Sequence, residues 1–238
     1  MEIKNLKKYL TDIGIGETSN LSLYEEAFTH RSYLNEKKGE NVGNHNERLE
    51  FLGDAVLELI VSEHLFKTYS DRPEGELTSF RAATVRTETL ARIARDLKYG
   101  EYLRMSIGEE NTGGREKDYL LANTFEAVLG ALYLDKGFET CREFVHQVLI
   151  PIINEIVENR LDIDPKTKFQ ELAQEQYKVT PIYKVVAEEG PDHNKIFTMA
   201  VLVNDKEMGR GSGSSKQKAE EQAASEALQQ IAINNDKA

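Results

Sequence analysis

The hydrophobic period of this chain changes once, near Pro165, and that change limits the fold more than any other feature. Upstream, apolar residues recur three and four apart: Leu49, Leu52, Val56, Leu59 and Ile60, then Phe125, Val128, Leu129 and Leu132, then Phe144, Val148 and Ile152. That spacing draws one stripe on an α-helix. No upstream run alternates like a strand, and Gly39 with Gly43, Pro73 with Gly75, and the stretch 111–114 read as loops. Downstream, Lys166 to Tyr177 reads as a helix with Phe169, Leu172 and Ala173 inward. Ile182 to Glu188 and Ile196 to Val203 then read as strands, because Phe197, Met199, Val201 and Val203 alternate onto one face. Asn204-Asp205 predicts a hairpin turn into a third short strand through Met208. A last helix starts near Ser215 and carries Ala219, Ala223, Ala227, Leu228 and Ile231 on one side, small enough for close approach to a sheet. The expected fold is multidomain, α and α+β: an all-helical domain over 1–160, a linker over 161–165, and an α-β-β-β-α module over 166–235.

Charge sharpens this division. The 238 residues hold 30 Lys and Arg against 41 Asp and Glu, a formal net charge of -11. As an average field, that repels a polyanion. Up to Asp164, however, there are 20 basic and 30 acidic residues, whereas the remainder has 10 and 11, so the excess acid lies in the helical part. No stretch approaches the roughly 18 apolar residues of a membrane span, and MEIKNLKKYL lacks the apolar core of a secretory signal. The chain is therefore expected in the cytoplasm, away from membranes. Cys141, the single cysteine, excludes an internal disulfide and any CxxC metal site, and reads as a small packed residue.

Within the acidic part, residues 46–57 read NERLEFLGDAVL. At 100° per residue, Glu47, Glu50 and Asp54 fall within about 60° of one another, with Leu49, Leu52, Val56 and Leu59 opposite. Like charges at these spacings cost a few tenths of a kcal/mol each, and a hard divalent cation would offset them. A solvated acidic face is the alternative, but Phe51, about 40° from the Glu47 direction, is out of place on one. It suggests a partner surface near the acids. On a second helical stretch, Asn123 and Glu126 lie three apart, and Gly130 near the same face permits close helix contact. A crossing there would gather Glu50, Asp54, Asn123 and Glu126 into the oxygen-rich site that Mg²⁺ prefers, suited to attack of water on a phosphodiester.

These residues resemble the ribonuclease III family. NERLEFLGDAVL at 46–57 matches that family's signature, supported by AFTHRSY at 27–33, EGELTSFRA at 74–82, TGGREKDYLLANTFEAVLGALYLDKG at 112–137 and the module after Pro165. The resemblance spans nearly the whole chain. It implies an all-helical nuclease domain followed by a double-stranded-RNA-binding domain, and a homodimer that cuts both RNA strands. The ends would be 5′-phosphate and 3′-hydroxyl with a short 3′ overhang, in processing of ribosomal and transfer RNA precursors and structured messenger RNAs. It implies Mg²⁺, with Mn²⁺ as a substitute, Glu50 as ligand, Asp54 as a catalytic residue, and Glu126 in both roles. Glu47 and Glu74 become accessory acids, and Phe51 a contact between subunits. One position departs: where most members carry Asp, this chain has Asn123, whose amide oxygen can ligate Mg²⁺ without contributing charge. The alternative reading is accordingly a double-stranded-RNA-binding regulator whose cleavage is impaired by Asn123.

The C-terminal module offers contacts suited to duplex RNA, which is gripped by shape through 2′-hydroxyls and phosphates. Gln170 and Gln174 lie one turn apart on the exposed side of its first helix, and His193 sits in the loop between the first two strands. Residues 211–218, GSGSSKQK, lead into the last helix and are expected to present free backbone N–H groups, Ser215, Lys216 and Lys218 to phosphate. The Gly/Ser run lacks the GKS or GKT ending of a nucleotide-binding loop. His30, His45 and His64 stand in no metal or nucleophile motif and read as structural or surface residues.

Overall fold

The computed structural model describes residues 5–36, 43–191 and 195–235, the side chains of 232–235 excepted. Gly39, expected in a loop, lies outside them. The chain divides into two compact units, Met1–Asp162 and Ile163–Ala238. Among the described residues, no helix is long and apolar enough to cross a membrane.

The first unit is helical: α1 (Leu6–Asp12), α2 (Leu21–Ala27), α3 (Arg31–Glu36), α4 (Glu47–Thr68), α5 (Glu74–Val85), α6 (Thr87–Asp96), α7 (Ile107–Asn111) and α8 (Asp118–Asn159). Gly137, at φ 80°, breaks α8 into two segments, a break unmarked in the hydrophobic pattern. Phe125, Val128, Leu129 and Leu132 of α8 are buried as the spacing requires. They pack with Leu57, Ile60, Val61 and Leu65 of α4 in one core.

Three sequence expectations change here. Leu59, expected in the core, is 59% exposed. Gly75, read as a loop residue, lies in the first turn of α5. The core of α4 is also not confined to the side opposite its acids. Leu57, Val61 and Leu65 continue the acidic side along the helix and are buried. Helix α4 is central in its second half, and its acidic face is open only over the first two turns.

In the second unit, α9 (Pro165–Tyr177) begins at proline, whose fixed φ suits a first helical position. Asp164 Oδ1 accepts the N–H groups of Lys166 at 2.9 Å and Thr167 at 3.3 Å as its cap. Strands β1 (Ile182–Glu189), β2 (Ile196–Val203) and β3 (Lys206–Gly213) form an antiparallel sheet in that order. Asn204 and Asp205 turn β2 into β3 with φ of 49° and 61°, the left-handed pair that a two-residue hairpin demands. Helix α10 (Lys216–Asn235) covers the sheet. Val201 and Val203 meet Phe169 and Ala173 of α9 and Ala223 and Ala227 of α10 in a small core.

Strand β3 is longer than its sequence suggests. Gly211, Ser212 and Gly213, expected in the lead-in to the last helix, are its last residues. Their glycines lie directly under α10, where a Cβ on Gly211 would stand 2.6 Å from the carbonyl oxygen of Ala219. Alanine on the helix and glycine on the strand together set the separation.

Candidate active site

The acids of α4 and α8 meet because two glycines let the helices touch. A Cβ on Gly53 would overlap the Glu126 carbonyl oxygen, and one on Gly130 would overlap that of Leu49. No larger residue fits either place without the helices separating. Gly130 was anticipated in this role; Gly53 was not, although glycine inside a strongly helical stretch is the available signal.

Around this crossing the expected residues assemble. Glu50, Asn123 and Glu126 are half-buried, while Asp54 is exposed. Burial, then the nearby charges of Asp54 and Glu50, push the Glu126 carboxyl up to about 8. Glu50 is also raised, chiefly by burial and then by Glu47, while a hydrogen bond with Asn123 opposes the rise. Glu126 is thus a carboxyl held among like charges in a poorly solvated place, and a cation would relieve both penalties.

The arrangement is open. Among the described residues, no group of three or more His, Cys, Asp or Glu side chains is drawn together tightly enough to hold a metal ion by itself. The donor set fits a hard cation nevertheless: carboxylate and amide oxygens on two helices, with the remaining positions left to water and substrate phosphate, as Mg²⁺ favours.

Of the accessory acids, Glu47 stays beside this group and Glu74 stands apart from it. Glu47 stands one turn before Glu50, its carboxylate 3.5 Å from Arg31 and 3.8 Å from His45 Nδ1. Arg31 was unmarked by sequence reasoning, and His45 was read as structural or surface. His45 stands two residues before Glu47, whereas Arg31 reaches it from the start of α3, a contact that no local spacing encodes. Glu74 lies elsewhere, accepting a hydrogen bond from Thr78 at 2.8 Å and lining a cavity of about 420 Å³ with Leu59 and Phe66. Phe51 is 80% exposed, on the same side of α4 as Leu59 and Phe66.

In the second unit, Gln170, Gln174, Lys216 and Lys218 are exposed as expected. His193 lies outside the described residues. Ser215 caps α10, its Oγ accepting the Lys218 N–H at 3.2 Å. That amide is therefore already taken, contrary to the expectation of a free N–H.

Comparison with known proteins decides the family. Residues 20–153 match the family model described as Ribonuclease-III-like, and residues 165–231 match the double-stranded RNA binding motif. Ribonuclease 3 of Desulforamulus reducens is 50% identical over 212 residues, covering 89% of this chain and 86% of that protein. The chain belongs to the ribonuclease III family. Ribonuclease 3 of Streptococcus sanguinis agrees, at 47% identity over 227 residues, 95% of this chain and 97% of its own. The nuclease domain of ribonuclease III from Campylobacter jejuni, a solved structure, is 39% identical with a TM-score of 0.56, covering 62% of this chain and 97% of that one. This ribonuclease III chain is an endoribonuclease with a helical nuclease domain and an α-β-β-β-α double-stranded-RNA-binding domain. The crossing at Gly53 and Gly130 falls inside the matched nuclease region.

Proposed function

We propose that this ribonuclease III cuts both strands of duplex RNA with Mg²⁺, or Mn²⁺ in its place, leaving 5′-phosphate and 3′-hydroxyl ends with short 3′ overhangs. The observation that carries this reading is the close crossing at Gly53 and Gly130, which brings the acids of α4 to Glu126 of α8; burial and then its acidic neighbours raise the Glu126 carboxyl there.

Glu50, Asn123 and Glu126 would hold the cation. When bound, it supplies positive charge at the scissile phosphate and makes a water acidic near neutral pH. Glu126 must release its proton before it can act as a ligand. Asp54, exposed beside it, would take up and return protons as water adds to phosphorus and the bond to the 3′-oxygen breaks. Glu47, tied to Arg31 and His45, shapes the field at the entrance.

Two copies of the chain would provide the two cuts. Phe51, Leu59 and Phe66 are 80%, 59% and 72% exposed, within about 80° of one another on α4. Beside them lies the cavity lined by Leu59, Leu65, Phe66 and Leu77. The occupant we assign to this apolar strip is the same strip of a second copy, a self-complementary two-fold contact. Glu74, lining that cavity, then belongs to the dimer face rather than to the acids at the crossing.

The RNA-binding module presents Gln170 and Gln174 to 2′-hydroxyls and Lys216 and Lys218 to phosphates, with His193 in the next minor groove. Ribosomal and transfer RNA precursors and structured messenger RNAs in the cytoplasm are the substrates proposed. The test is cleavage of a perfect RNA duplex with Mg²⁺, beside a single-stranded control and Glu126→Gln. Cutting of the duplex alone, lost in the variant, is the expected result. Equal cutting by Glu126→Gln removes the role given to Glu126. Binding without cutting, with cutting by Asn123→Asp, would make the chain an RNA-binding regulator instead.

A further inference from the structure

The cation expected to meet phosphate at the head of α10 already has an anion. Lys216 Nζ lies 3.3 Å from one carboxylate oxygen of Glu188, and the other oxygen of Glu188 lies 3.6 Å from Lys195 Nζ. The same ammonium sits 5.5 Å from the centre of the Phe197 ring. Glu188 and Phe197 are cross-strand partners of β1 and β2, so the sheet itself holds carboxylate and ring side by side under Lys216. A single carboxylate thus gives one oxygen to each of two ammonium groups, much as a backbone phosphate gives its two non-bridging oxygens.

We propose that Glu188 is an affinity-limiting residue, a built-in stand-in for RNA phosphate that Lys216 must exchange or share on binding. The proposal rests on the reading of Lys216 as a phosphate contact. In the free protein Glu188 satisfies the two lysines. On the duplex the phosphate takes the place of the carboxylate, which turns to solvent. Two consequences follow. Part of each phosphate interaction is spent on breaking an existing ion pair, so affinity is reduced. Fewer counterions are also released from the complex, so binding falls less steeply with salt.

The pair is open to solvent, Lys216 more than half exposed, and pairs of this kind are individually weak. Removing the carboxylate should therefore tighten binding about 2- to 5-fold, no more. The experiment uses the full chain in EDTA, so that bound RNA stays uncut, with a labelled duplex longer than the ~16 base pairs that one such module spans. Anisotropy titrations over a range of salt would compare wild type, Glu188→Gln, Lys216→Gln and the double variant. Glu189→Gln is the control: it removes the same charge one residue along, where the strand turns the side chain to the other face.

Tighter binding by Glu188→Gln, a salt slope steeper by up to ~0.9, little change from Glu189→Gln, and loss of the gain in the Lys216→Gln background are expected. Unchanged or weaker binding by Glu188→Gln overturns the proposal, since the carboxylate would then be inert or would organise the lysines. A gain that survives Lys216→Gln, or that Glu189→Gln reproduces, also overturns it, because mean charge alone would explain the effect. Failure of the wild type to bind duplex even at low salt is a different result, and removes the RNA-binding reading beneath.

Discussion

Both units use glycine to bring backbones into contact, and they do so for opposite ends. In the nuclease unit, Gly53 and Gly130 let α4 and α8 cross so closely that Glu50 and Glu126 are half-buried together beside the exposed Asp54. In the RNA-binding unit, Gly209, Gly211 and Gly213 let α10 settle on β3 through Ala219, Ala223 and Ala227. Close approach in the second case only improves packing. In the first it buries carboxyls beside like charges, a double penalty that a bound cation would relieve. The two contacts therefore respond differently to added bulk, to pH and to divalent ions.

The largest difference should come from bulk at the crossing. Gly53→Ala places a methyl on the Glu126 carbonyl, backbone that cannot swing aside, so destabilisation of at least about 3 kcal/mol is expected, with cleavage reduced beyond detection. Denaturant titration and duplex cleavage measure the two. A stable and active Gly53→Ala protein would contradict the crossing itself. Gly211→Ala, against the backbone of Ala219 and Ala223, should cost about 2 to 3 kcal/mol and loosen α10 from the sheet. Its signature is weakened duplex binding, read by anisotropy, and normal affinity would show that the helix accommodates the methyl.

Titration separates the two contacts next. The Glu126 carboxyl is raised from its ordinary 4.5 to about 8, so between those values the folded protein keeps a proton that the unfolded chain gives up. Stability without divalent ions is then full below about pH 4.5, falls as pH rises, and levels off above about 8. Glu126→Gln abolishes that slope. The variant should match wild type at pH 4 and exceed it by about 1 to 2 kcal/mol at pH 9 in EDTA, a figure discounted for the solvent that still reaches the carboxyl. Parallel pH profiles for the two proteins would rule out the raised Glu126 carboxyl, and with it the burial and repulsion that cause it.

How far these contacts were legible beforehand depends on whether a local pattern encodes them. The alternation of β2 and the Asn204-Asp205 turn are local, and both stand where the spacing put them. The end of β3 is not. Glycine disfavours strands, so Gly211 and Gly213 read as the lead-in to the last helix until the alanines of α10 are seen to need their missing side chains. Leu59 shows another limit, because an apolar stripe looks the same whether it faces the core or stands exposed. The acids were legible as a constellation, since 100° per residue places them, but burial that raises Glu126 comes from packing between helices about 70 residues apart. Glu188 carried no signal: its position beside Lys195 and Lys216 follows from strand register and from where α10 begins.

The finest test of the comparison adds charge without bulk. Asn123→Asp replaces an amide beside Glu50 with a fourth carboxylate and leaves the side-chain shape nearly unchanged. Without divalent ions the new charge deepens the repulsion around Glu50 and Glu126, so stability near neutral pH should fall by about 0.5 to 1 kcal/mol. With them it adds an anionic oxygen, so the Mg²⁺ concentration for half-maximal cleavage should drop about 3- to 10-fold. One substitution must then move two measurements in opposite senses: thermal melting in EDTA downward, apparent metal affinity upward. A packing defect would lower stability without improving the response to Mg²⁺, and an ordinary surface position would change neither. The RNA-binding unit supplies the reference, because its glycine contact gathers no such acids, and duplex binding measured in EDTA should be the same for Asn123→Asp and wild type.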